Sequence, residues 1–546
     1  FAPKHSLYIL RQKKKMAFSF NTILLVSNSF LASSFHLPSQ RGNPIALRSS
    51  KIAVERQIIV PGEKEENQES GSDHFDWFKS WYPLVPVEIL DREKPHRFHL
   101  LGQDIVVWND APIEGSAEFR PKSKRPRGAA RSDTGTWRVF EDECPHRKVP
   151  LSEGRIEDDG TLLCSYHAWR FDGKGNCVAV PQVESENELM RIKSNPKSNC
   201  NAYPTKVING ILFVWPSSDK DAVLESELTP VVHRPAETDV KRLWEGPWNF
   251  RELPYGADFF LENVVDPAHV SVSHHNIVGS RYGNQEMRLA SVKPLSKNGF
   301  SISTQLQGAS HPSVTNFKSP SLVAIDAEFG EGAKQTLELY IAPSRPGFSY
   351  HCGRMVILKD ENGATPKLLS GFTFPMPKWL NHVVASAFLN QDGLFLHHQE
   401  RYMASTNKYM TVLKEGEEPY HYTKAISPSS SDMGVIMFRN WMRKLAGGRI
   451  PYKNNPIMPP SNNDIVFDVY NGHTKYCKYC QDALRRLKKA RMASFIAASI
   501  VGILRPPQLS AVGSLLTSAL FGGVGLILNK LIGMFYRYEF SHAHND

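Results

Sequence analysis

The stretch that decides the fold runs from Cys144 to Phe171 and reads CPHRKVPLSEGRIEDDGTLLCSYHAWRF. It contains two Cys-His pairs, Cys144 with His146 and Cys164 with His167, each beside a short segment of strand composition. This spacing predicts two neighbouring hairpin tips that bring two thiolates and two imidazoles together. Two Cys and two His are also the ligands of a structural zinc ion, so zinc remains an alternative for this stretch taken alone.

The length and composition of the chain indicate the class of protein in which this stretch occurs. The chain has 546 residues, 41% hydrophobic and 22% charged, which predicts two globular domains with extensions. Seven cysteines are too few for a disulfide scaffold and favour metal or redox roles. The net charge is +10, but residues 1–60 hold nine Lys or Arg against one acidic residue. The rest of the chain is therefore nearly neutral, which gives little support to a nucleic-acid-binding surface.

Residues 1–60 have the composition of a targeting region. Met16 is the expected start, and the apolar stretch after it has the length of a signal peptide. The following HLPSQRGNPIALRSSK contains Ser and Arg and no acidic residue, as transit peptides do. The LASSF junction resembles the two-part leaders of algae with complex plastids; an ordinary secretory signal is the alternative. Residues 61–75 are polar and acidic and are predicted to be a linker.

The C-terminal part has the composition of a membrane anchor. A basic segment, RRLKKAR, precedes the apolar run MASFIAASIVGIL, and a second, longer apolar run follows the RPPQ break. The second run is long enough to span a bilayer, whereas the first is marginal. We predict a transmembrane hairpin over residues 485–537, in which Gly522, Gly523 and Gly525 allow close helix packing. A buried pair of soluble helices is the alternative.

Two folded regions are predicted between these segments. Short strands with closely spaced turns over residues 76–225 predict an all-β domain, interrupted by a basic insert before residue 132 that is expected to be a solvated loop. Residues 226–445 mix helical and strand patterns and predict an α+β domain. In that domain GFSISTQLQ, QTLELYIAP, YHCGRMVILK and LLSGFTFP are predicted strands, and HVVASAFLNQDGLFLHHQERYM a helix. Residues 446–484 form a tail with a C-x2-C pair.

The residues around the two Cys-His pairs distinguish a cluster from a zinc site. Arg147 follows the first His, and Trp169 lies two residues after the second. The pattern C-P-H-R…C-x-Y-H-x-W closely resembles the Rieske [2Fe–2S] motif. The resemblance implies that Cys144 and Cys164 hold one iron and that His146 and His167 hold the other. Ala168 is a departure, since this family usually has Gly at that position.

A second metal motif follows in LENVVDPAHVSVSHH, where Asp266, His269 and His274 have D-x2-H-x4-H spacing. Such spacing can direct side chains toward one ion, and two His with one carboxylate leave open positions on iron(II). The stretch resembles the mononuclear iron element of Rieske oxygenases. The resemblance implies that His269 and His274 bind the iron, while Asp266 bridges toward a Rieske histidine of a neighbouring subunit. His275 is an alternative to His274 but does not fit the spacing.

The carboxylate ligand to the iron must come from elsewhere in the chain. Asp392, in FLNQDGLFLHHQE, occupies the place where the late helix of the family supplies this ligand. Glu400, eight residues further along, is the competing candidate.

Further motifs narrow the resemblance to the pheophorbide a oxygenase family, which includes the 55 kDa chloroplast translocon component. They are the DW-x3-WYP start at residue 76, LPYGADFFLENVVDPAH, and the late HTKYCKYC. The resemblance covers roughly residues 76–480. It implies an α+β chain with an N-terminal all-β Rieske domain, a helix-grip-like mononuclear iron domain and a transmembrane hairpin. Cys477 and Cys480 match the family's C-x2-C, interpreted as a thioredoxin-targeted thiol switch because no second C-x2-C completes a zinc site.

The resemblance also implies an activity and its partners. Reduced ferredoxin would supply electrons, and O2 would be used to oxygenate a hydrophobic tetrapyrrole or another aromatic substrate. A homotrimer in a plastid membrane, either inner envelope or thylakoid, is expected. Two alternatives remain: a redox-sensing component of plastid protein import without substrate turnover, and a Rieske electron carrier.

Overall fold

The computed structural model describes residues 74–113, 131–235, 239–277, 279–283, 286–307, 309–405, 430–454 and 457–542. The predicted targeting region, nearly all of the linker and most of the basic insert lie outside these ranges.

The described strands form four antiparallel sheets. In chain order the strands are β1 (Tyr82–Pro86), β2 (His96–Leu100), β3 (Gln103–Asn109), β4 (Trp137–Glu141), β5 (Arg155–Ile156), β6 (Leu162–Leu163), β7 (Arg170–Phe171), β8 (Cys177–Ala179), β9 (Ala202–Tyr203), β10 (Thr205–Ile208), β11 (Ile211–Val214), β12 (Leu243–Glu245), β13 (Asn249–Leu253), β14 (Met287–Ser296), β15 (Gly299–Leu306), β16 (Ser313–Lys318), β17 (Leu322–Glu328), β18 (Lys334–Arg345) and β19 (Phe348–Leu358).

The α-helices are fewer and lie mostly in the second half of the chain. They are α1 (Glu186–Ser194), α2 (Ala222–Leu228), α3 (Ala257–Val264), α4 (Val270–Ser273), α5 (Lys378–Ser405), α6 (Met433–Leu445), α7 (Asn463–Val466), α8 (Lys478–Leu504) and α9 (Ala511–Met534).

The N-terminal region is all-β apart from short helices, as the closely spaced strand pattern predicts. Two four-stranded sheets have the orders β2-β3-β4-β9 and β5-β6-β7-β8, and a three-stranded sheet has the order β1-β11-β10. Alternating side chains of β2 and most of β3 are buried, which fixes the register because a shift by one residue would expose them. A separate hydrophobic cluster, including Trp108, Phe140 and Phe171, lies between the two four-stranded sheets and contains Cys144 and Cys164.

The second region is built on an eight-stranded antiparallel sheet with the order β12-β19-β18-β17-β16-β15-β14, and β13 also pairs with β19. Helices α3 and α5 pack against this sheet, which gives the mixed α+β architecture expected from the sequence. The expected strand LLSGFTFP is wrong, because residues 367–374 form turns instead. Prolines at 366, 375 and 377 flank this stretch, and proline cannot donate a hydrogen bond to a strand ladder.

The two C-terminal helices form an antiparallel pair whose ends return to the folded body. Thr474 donates a hydrogen bond to the Phe535 carbonyl over 2.8 Å, just before α8 begins and just after α9 ends. Gly525 lies directly against the Phe495 ring, so a side chain there would collide with it. Gly522 and Gly523 face open space, so of the three glycines expected to allow close packing only Gly525 lies at this contact.

Only α9 among the described helices is long and apolar enough to cross a membrane. Its most apolar window has a mean hydropathy of 1.9, and 11% of that window is buried. The apolar part of α8 does not meet the same criterion, in line with the marginal length of its apolar run.

Candidate metal centres

The two Cys-His pairs occupy matching loops at one end of the N-terminal region. In the first loop the Lys148 N–H donates to the Cys144 carbonyl over 2.8 Å; in the second, the Ala168 N–H donates to the Cys164 carbonyl over 3.0 Å. The Cys144 and Cys164 N–H groups also donate, to the carbonyls of residues 149 and 169. Each loop thus closes in the same way around its cysteine, and the two loops face each other.

The four side chains separate into a buried pair and an outer pair. Cys144 and Cys164 are each 1% exposed, whereas His146 is exposed and His167 half-buried. The two imidazole rings lie 4.6 Å apart, and Trp169 stacks on His146 at 4.7 Å with nearly parallel planes. A cluster held here would have its thiolate side in the protein and its histidine side at the surface, where an electron can enter or leave.

The two cysteines share one proton: the hydrogen bond between them, together with burial, raises the pKa of Cys144 and leaves Cys164 as the thiolate of the pair. A hydrogen bond from Cys144, followed by the backbone N–H groups of Tyr166 and His167, lowers the pKa of Cys164 to about 6 against the opposing effect of burial. Thiolates are the form that binds metal. Partial burial, with the neighbouring His167 and Arg147, lowers the pKa of His146 and favours the neutral ring that ligation requires. All seven cysteines are free thiols, so no disulfide competes.

Ala168 has the backbone conformation that favours glycine. Its φ is +55°, close to the +59° of Lys148 at the matching position of the first loop. The departure from the family pattern therefore leaves the loop conformation unchanged but places a Cβ in the left-handed region, which is unfavourable for L-residues.

We expect Ala168→Gly to stabilise the protein by about 0.5 to 1 kcal/mol, because relief of this strain exceeds the added flexibility of the unfolded chain. With an unfolding entropy of about 2.1 cal/mol/K per residue, the melting temperature of a chain of this size should rise by about 0.5 to 1 °C in anaerobic calorimetry. The control is Ala179→Gly in β8, where φ is negative and the same change should lower the melting temperature. Equal decreases for both variants would contradict the strain at Ala168.

The second predicted site lies where α3, α4 and α5 meet. The helix α3 ends at Val264, just before Asp266. His269 and His274 flank the single-turn helix α4, one on each side. The break between α3 and α4 turns both rings toward α5, which carries Asp392.

Three side chains converge there within ligating distance. The Nε2 atoms of His274 and His269 lie 3.2 Å and 3.9 Å from Oδ2 of Asp392. The ligand atoms of the three residues lie within 4.8 Å of one another, so the group could hold one metal ion.

The opposite nitrogens of both rings are already engaged. His269 Nδ1 donates to the Asp266 carbonyl over 2.5 Å, and His274 Nδ1 donates to Oε1 of Gln391 over 2.9 Å. In each ring Nε2 is therefore the nitrogen that faces Asp392: when protonated it can donate to the carboxylate, and when deprotonated its lone pair can bind a metal ion. A hydrogen bond that fixes the tautomer in this way is the usual support of a metal-ligating histidine. Phe388 also stacks on the His274 ring at 3.9 Å.

Asp392 is held as an ionised carboxylate. Burial raises its pKa, but the hydrogen bond and charge of His274, with smaller contributions from His269 and Asn263, lower it overall. Asn263 Nδ2 donates to Oδ2 over 3.0 Å. Oδ1 is buried and has no hydrogen-bond partner among the described residues, which is unfavourable unless a cation lies nearby. The residues therefore fit an iron(II) ion with two His and one carboxylate.

The two competing candidates, Glu400 and His275, form hydrogen bonds or ion pairs with other residues. Glu400 is fully buried, accepts a hydrogen bond from the Gly256 N–H at 3.1 Å and pairs with Arg401 at 2.6 Å. His275 accepts from the Arg281 N–H at 3.1 Å through Nδ1. Neither residue belongs to the converging group, so the geometry favours Asp392 and His274 as the proposed ligands.

Asp266 lies beside this group rather than within it. Its Oδ1 accepts from the Ala268 N–H at 2.8 Å, and its Oδ2 is 3.9 Å from His269 Nδ1. Burial raises its pKa above the ordinary aspartate value. Its predicted role as a bridge between subunits stays a prediction.

A third cluster was not expected from the sequence. Cys477 and Cys480 meet His382 and His473 in the interior, with all four ligand atoms within 4.8 Å of one another. Three of the four form H-x3-C-x2-C in HTKYCKYC, so a local signal was present. His382, 95 residues before Cys477, had no such signal because only the packing of α5 brings it near.

Comparisons with known proteins give two matching family models and several relatives. A family described as "Rieske [2Fe-2S] domain" matches residues 80–200, and one described as "Pheophorbide a oxygenase" matches residues 317–409. Flavonoid 8-hydroxylase 2, chloroplastic, from Ocimum basilicum is 28% identical over 93% of each chain. Pheophorbide a oxygenase, chloroplastic, from Oryza sativa is 29% identical over 80% of this chain and 79% of its own. Protein TIC 55, chloroplastic, from Pisum sativum is 28% identical over 73% of this chain and 64% of its own.

Proposed function

We propose that this chain, which matches the Rieske [2Fe-2S] domain and pheophorbide a oxygenase family models, is a Rieske-type oxygenase that oxygenates a tetrapyrrole of the pheophorbide a or chlorophyllide type in a plastid. Enzymes of this family are oxidoreductases that carry a Rieske cluster and a mononuclear iron, and they require O2, an electron donor and an aromatic or tetrapyrrole substrate. Reduced ferredoxin is the proposed donor. The observation that carries the proposal is the convergence of His269, His274 and Asp392 in a chain that also has the Rieske loops.

Each set of residues has a defined part in this proposal. Cys144, His146, Cys164 and His167 would hold the Rieske cluster. His269, His274 and Asp392 would hold iron(II), which when bound supplies open positions where O2 and substrate meet. Gln391 and the Asp266 carbonyl hold the two imidazoles in the ligating tautomer.

The finer features of the proposal concern assembly and location. In a homotrimer, Asp266 would bridge toward a Rieske histidine of a neighbouring subunit, so that electrons cross between chains. The helix pair α8–α9 would attach the protein to a plastid membrane, where a lipid-soluble tetrapyrrole concentrates. Large apolar side chains along α9 support this location, since Leu515, Leu520 and Leu526 are each about two-thirds exposed.

The relatives suggest two other functions. A non-catalytic import component is the alternative suggested by TIC 55, but such a role does not require a converged iron site. A flavonoid substrate is suggested by the relative from Ocimum basilicum. The tetrapyrrole is favoured because the family match at residues 317–409 includes Asp392 and is described as pheophorbide a oxygenase.

The decisive experiment uses the full-length protein, purified without O2 in detergent and loaded with iron and sulfide. It is given reduced ferredoxin and ¹⁸O2 with pheophorbide a, chlorophyllide a or a flavone, and products are analysed by mass spectrometry. Incorporation of ¹⁸O into a tetrapyrrole that depends on ferredoxin is the expected result. Incorporation into the flavone alone, or into no compound by a fully loaded protein, would overturn the tetrapyrrole proposal.

A further inference from the structure

The C-x2-C pair lies in a closed four-residue cluster far from the surface. His382 lies on α5, His473 on the turn Tyr470–Thr474, Cys477 directly precedes α8 and Cys480 lies in its first turn. None of the four is more than 3% exposed. The cluster therefore joins three separate chain segments through side chains that are all metal-ligand types.

Hydrogen bonds to the backbone set the tautomer of both imidazoles. His473 Nδ1 donates to the Phe250 carbonyl over 2.6 Å, and His382 Nε2 donates to the Trp248 carbonyl over 3.1 Å. A carbonyl can only accept, so each ring must carry its proton on that nitrogen. In the neutral form of each ring the other nitrogen, Nε2 of His473 or Nδ1 of His382, carries the lone pair, and both of these nitrogens lie within hydrogen-bond distance of the cysteine sulfurs. Metal-ligating histidines are supported in this way.

Three of the six distances between ligand atoms are close to those around a tetrahedral ion, and the other three are at most 4.8 Å. His473 Nε2 lies 3.2 Å from Cys480 Sγ, and His382 Nδ1 lies 3.4 Å and 3.5 Å from the sulfurs of Cys477 and Cys480. Zinc bonds of about 2.0 Å to nitrogen and 2.3 Å to sulfur place neighbouring ligands about 3.3 to 3.8 Å apart.

We propose that His382, His473, Cys477 and Cys480 bind one structural Zn²⁺ ion in a Cys2His2 site. Binding releases the two thiol protons to solvent, and Zn²⁺ with two thiolates and two neutral imidazoles carries no net charge. A neutral complex suits a buried position because it avoids leaving an uncompensated charge in the interior. Four protein ligands complete the tetrahedron, as in structural rather than catalytic zinc sites.

The position of the ion suggests what it stabilises. His382 and Asp392 are ten residues apart on α5, about 15 Å along the helix axis. The ion would fasten this helix to the start of α8, from which the apolar helix pair extends. Its removal should therefore loosen the junction between the catalytic region and the proposed membrane anchor. This inference does not depend on the proposed substrate or activity.

The same cluster bears on the predicted thiol switch. Thioredoxin must reach a sulfur atom, and Cys477 and Cys480 are 0% and 1% exposed. The thiols can form a redox pair only if the cluster opens first. Metal-bound thiolates would be protected from oxidation until the ion leaves. The zinc site therefore predicts bound zinc and reduced thiols in the purified protein, whereas the thiol switch predicts a disulfide that thioredoxin can reduce.

The test begins with the metal content of the full-length protein, expressed with added zinc and purified without chelators. We expect about one zinc per chain besides iron. Cys480→Ser should reduce zinc at least tenfold and lower the melting temperature. Cys352→Ser is the matched control, because Cys352 is also fully buried but lies outside the cluster, and this variant should keep its zinc.

If Cys480→Ser does not fold, a second measurement on the wild-type protein tests the site. Wild-type protein produced with Co²⁺ in place of zinc should show the visible absorption of a tetrahedral ion with thiolate ligands. That spectrum supports the site. Zinc below about 0.1 per chain after supplementation, absence of the cobalt spectrum, or a Cys477–Cys480 disulfide reducible by thioredoxin would overturn it; the last result would establish the thiol switch instead.

Discussion

Asp392→Ala is expected to abolish oxygenation while leaving the Rieske cluster intact. Asp392 is the carboxylate on which both Nε2 atoms converge, and its removal leaves two imidazoles without a negative partner. Loss of supporting residues around a metal ligand typically costs about 10- to 100-fold in affinity or activity. Loss of the ligand itself should exceed that range. Total iron should fall from about three to about two per chain, while acid-labile sulfide stays at about two.

The control for Asp392 is Glu400→Gln, which replaces the competing carboxylate by an amide of the same shape. Glu400 holds the Gly256 N–H and Arg401 in the interior, so this variant should lose stability. It should nevertheless keep its third iron and measurable turnover. If Glu400→Gln lost that iron and Asp392→Ala retained it, the assignment of the carboxylate ligand would be reversed.

The sequence could not decide between these two carboxylates, for a geometric reason. Eight residues are about 2.2 helical turns, so Asp392 and Glu400 lie about 80° apart around α5 and about 12 Å apart along its axis, and either could face the histidines depending on how α5 packs. Spacing alone makes both plausible. The choice depends on where α3 and α4 meet α5, and that contact is set by tertiary packing between segments more than 100 residues apart.

The Rieske loops could be predicted because the information is local. Each Cys-His pair lies within four residues, and one short hairpin unit connects the two. The third cluster could not be predicted from local sequence, because His382 reaches the cysteines only when α5 packs against α8. The HTKYCKYC stretch shows three ligands of that cluster, and the lack of a second C-x2-C was weak evidence against metal because histidine can complete the set.

The fold shows a similar division between local and long-range information. Strands with alternating burial, such as β2, follow from the sequence pattern, as does the long helix α5. LLSGFTFP was predicted as a strand from its aromatic and apolar residues, but its flanking prolines prevent continuous pairing. The order of the eight-stranded sheet could not be predicted, because the pairing of β13 with β19 joins residues about 100 positions apart.

Cys164→Ser is expected to remove the Rieske cluster and with it all ferredoxin-dependent turnover. A serine hydroxyl at this buried position remains protonated and cannot replace a thiolate that is already stabilised by N–H groups of its own loop. Acid-labile sulfide should fall from about two per chain to near zero, and iron from about three to about one. The EPR signal of the reduced cluster should disappear. Cys177→Ser, a buried thiol of the same domain outside the two loops, should keep that signal.

Cys164→Ser and Asp392→Ala together test whether electrons cross between subunits. Each variant should retain the centre that the other lacks, and each should be inactive alone. If Asp266 connects the Rieske centre of one subunit to the iron of the next, mixed oligomers refolded or co-expressed from both variants should regain part of the wild-type activity. In a trimer with random mixing, some adjacent pairs combine an intact cluster with an intact iron site.

Adding Asp266→Asn to the chain that keeps its iron should abolish the recovered activity, whereas the same change in the other chain should not. Mixed oligomers without activity, formed from fully loaded chains, would show that the electron stays within one subunit.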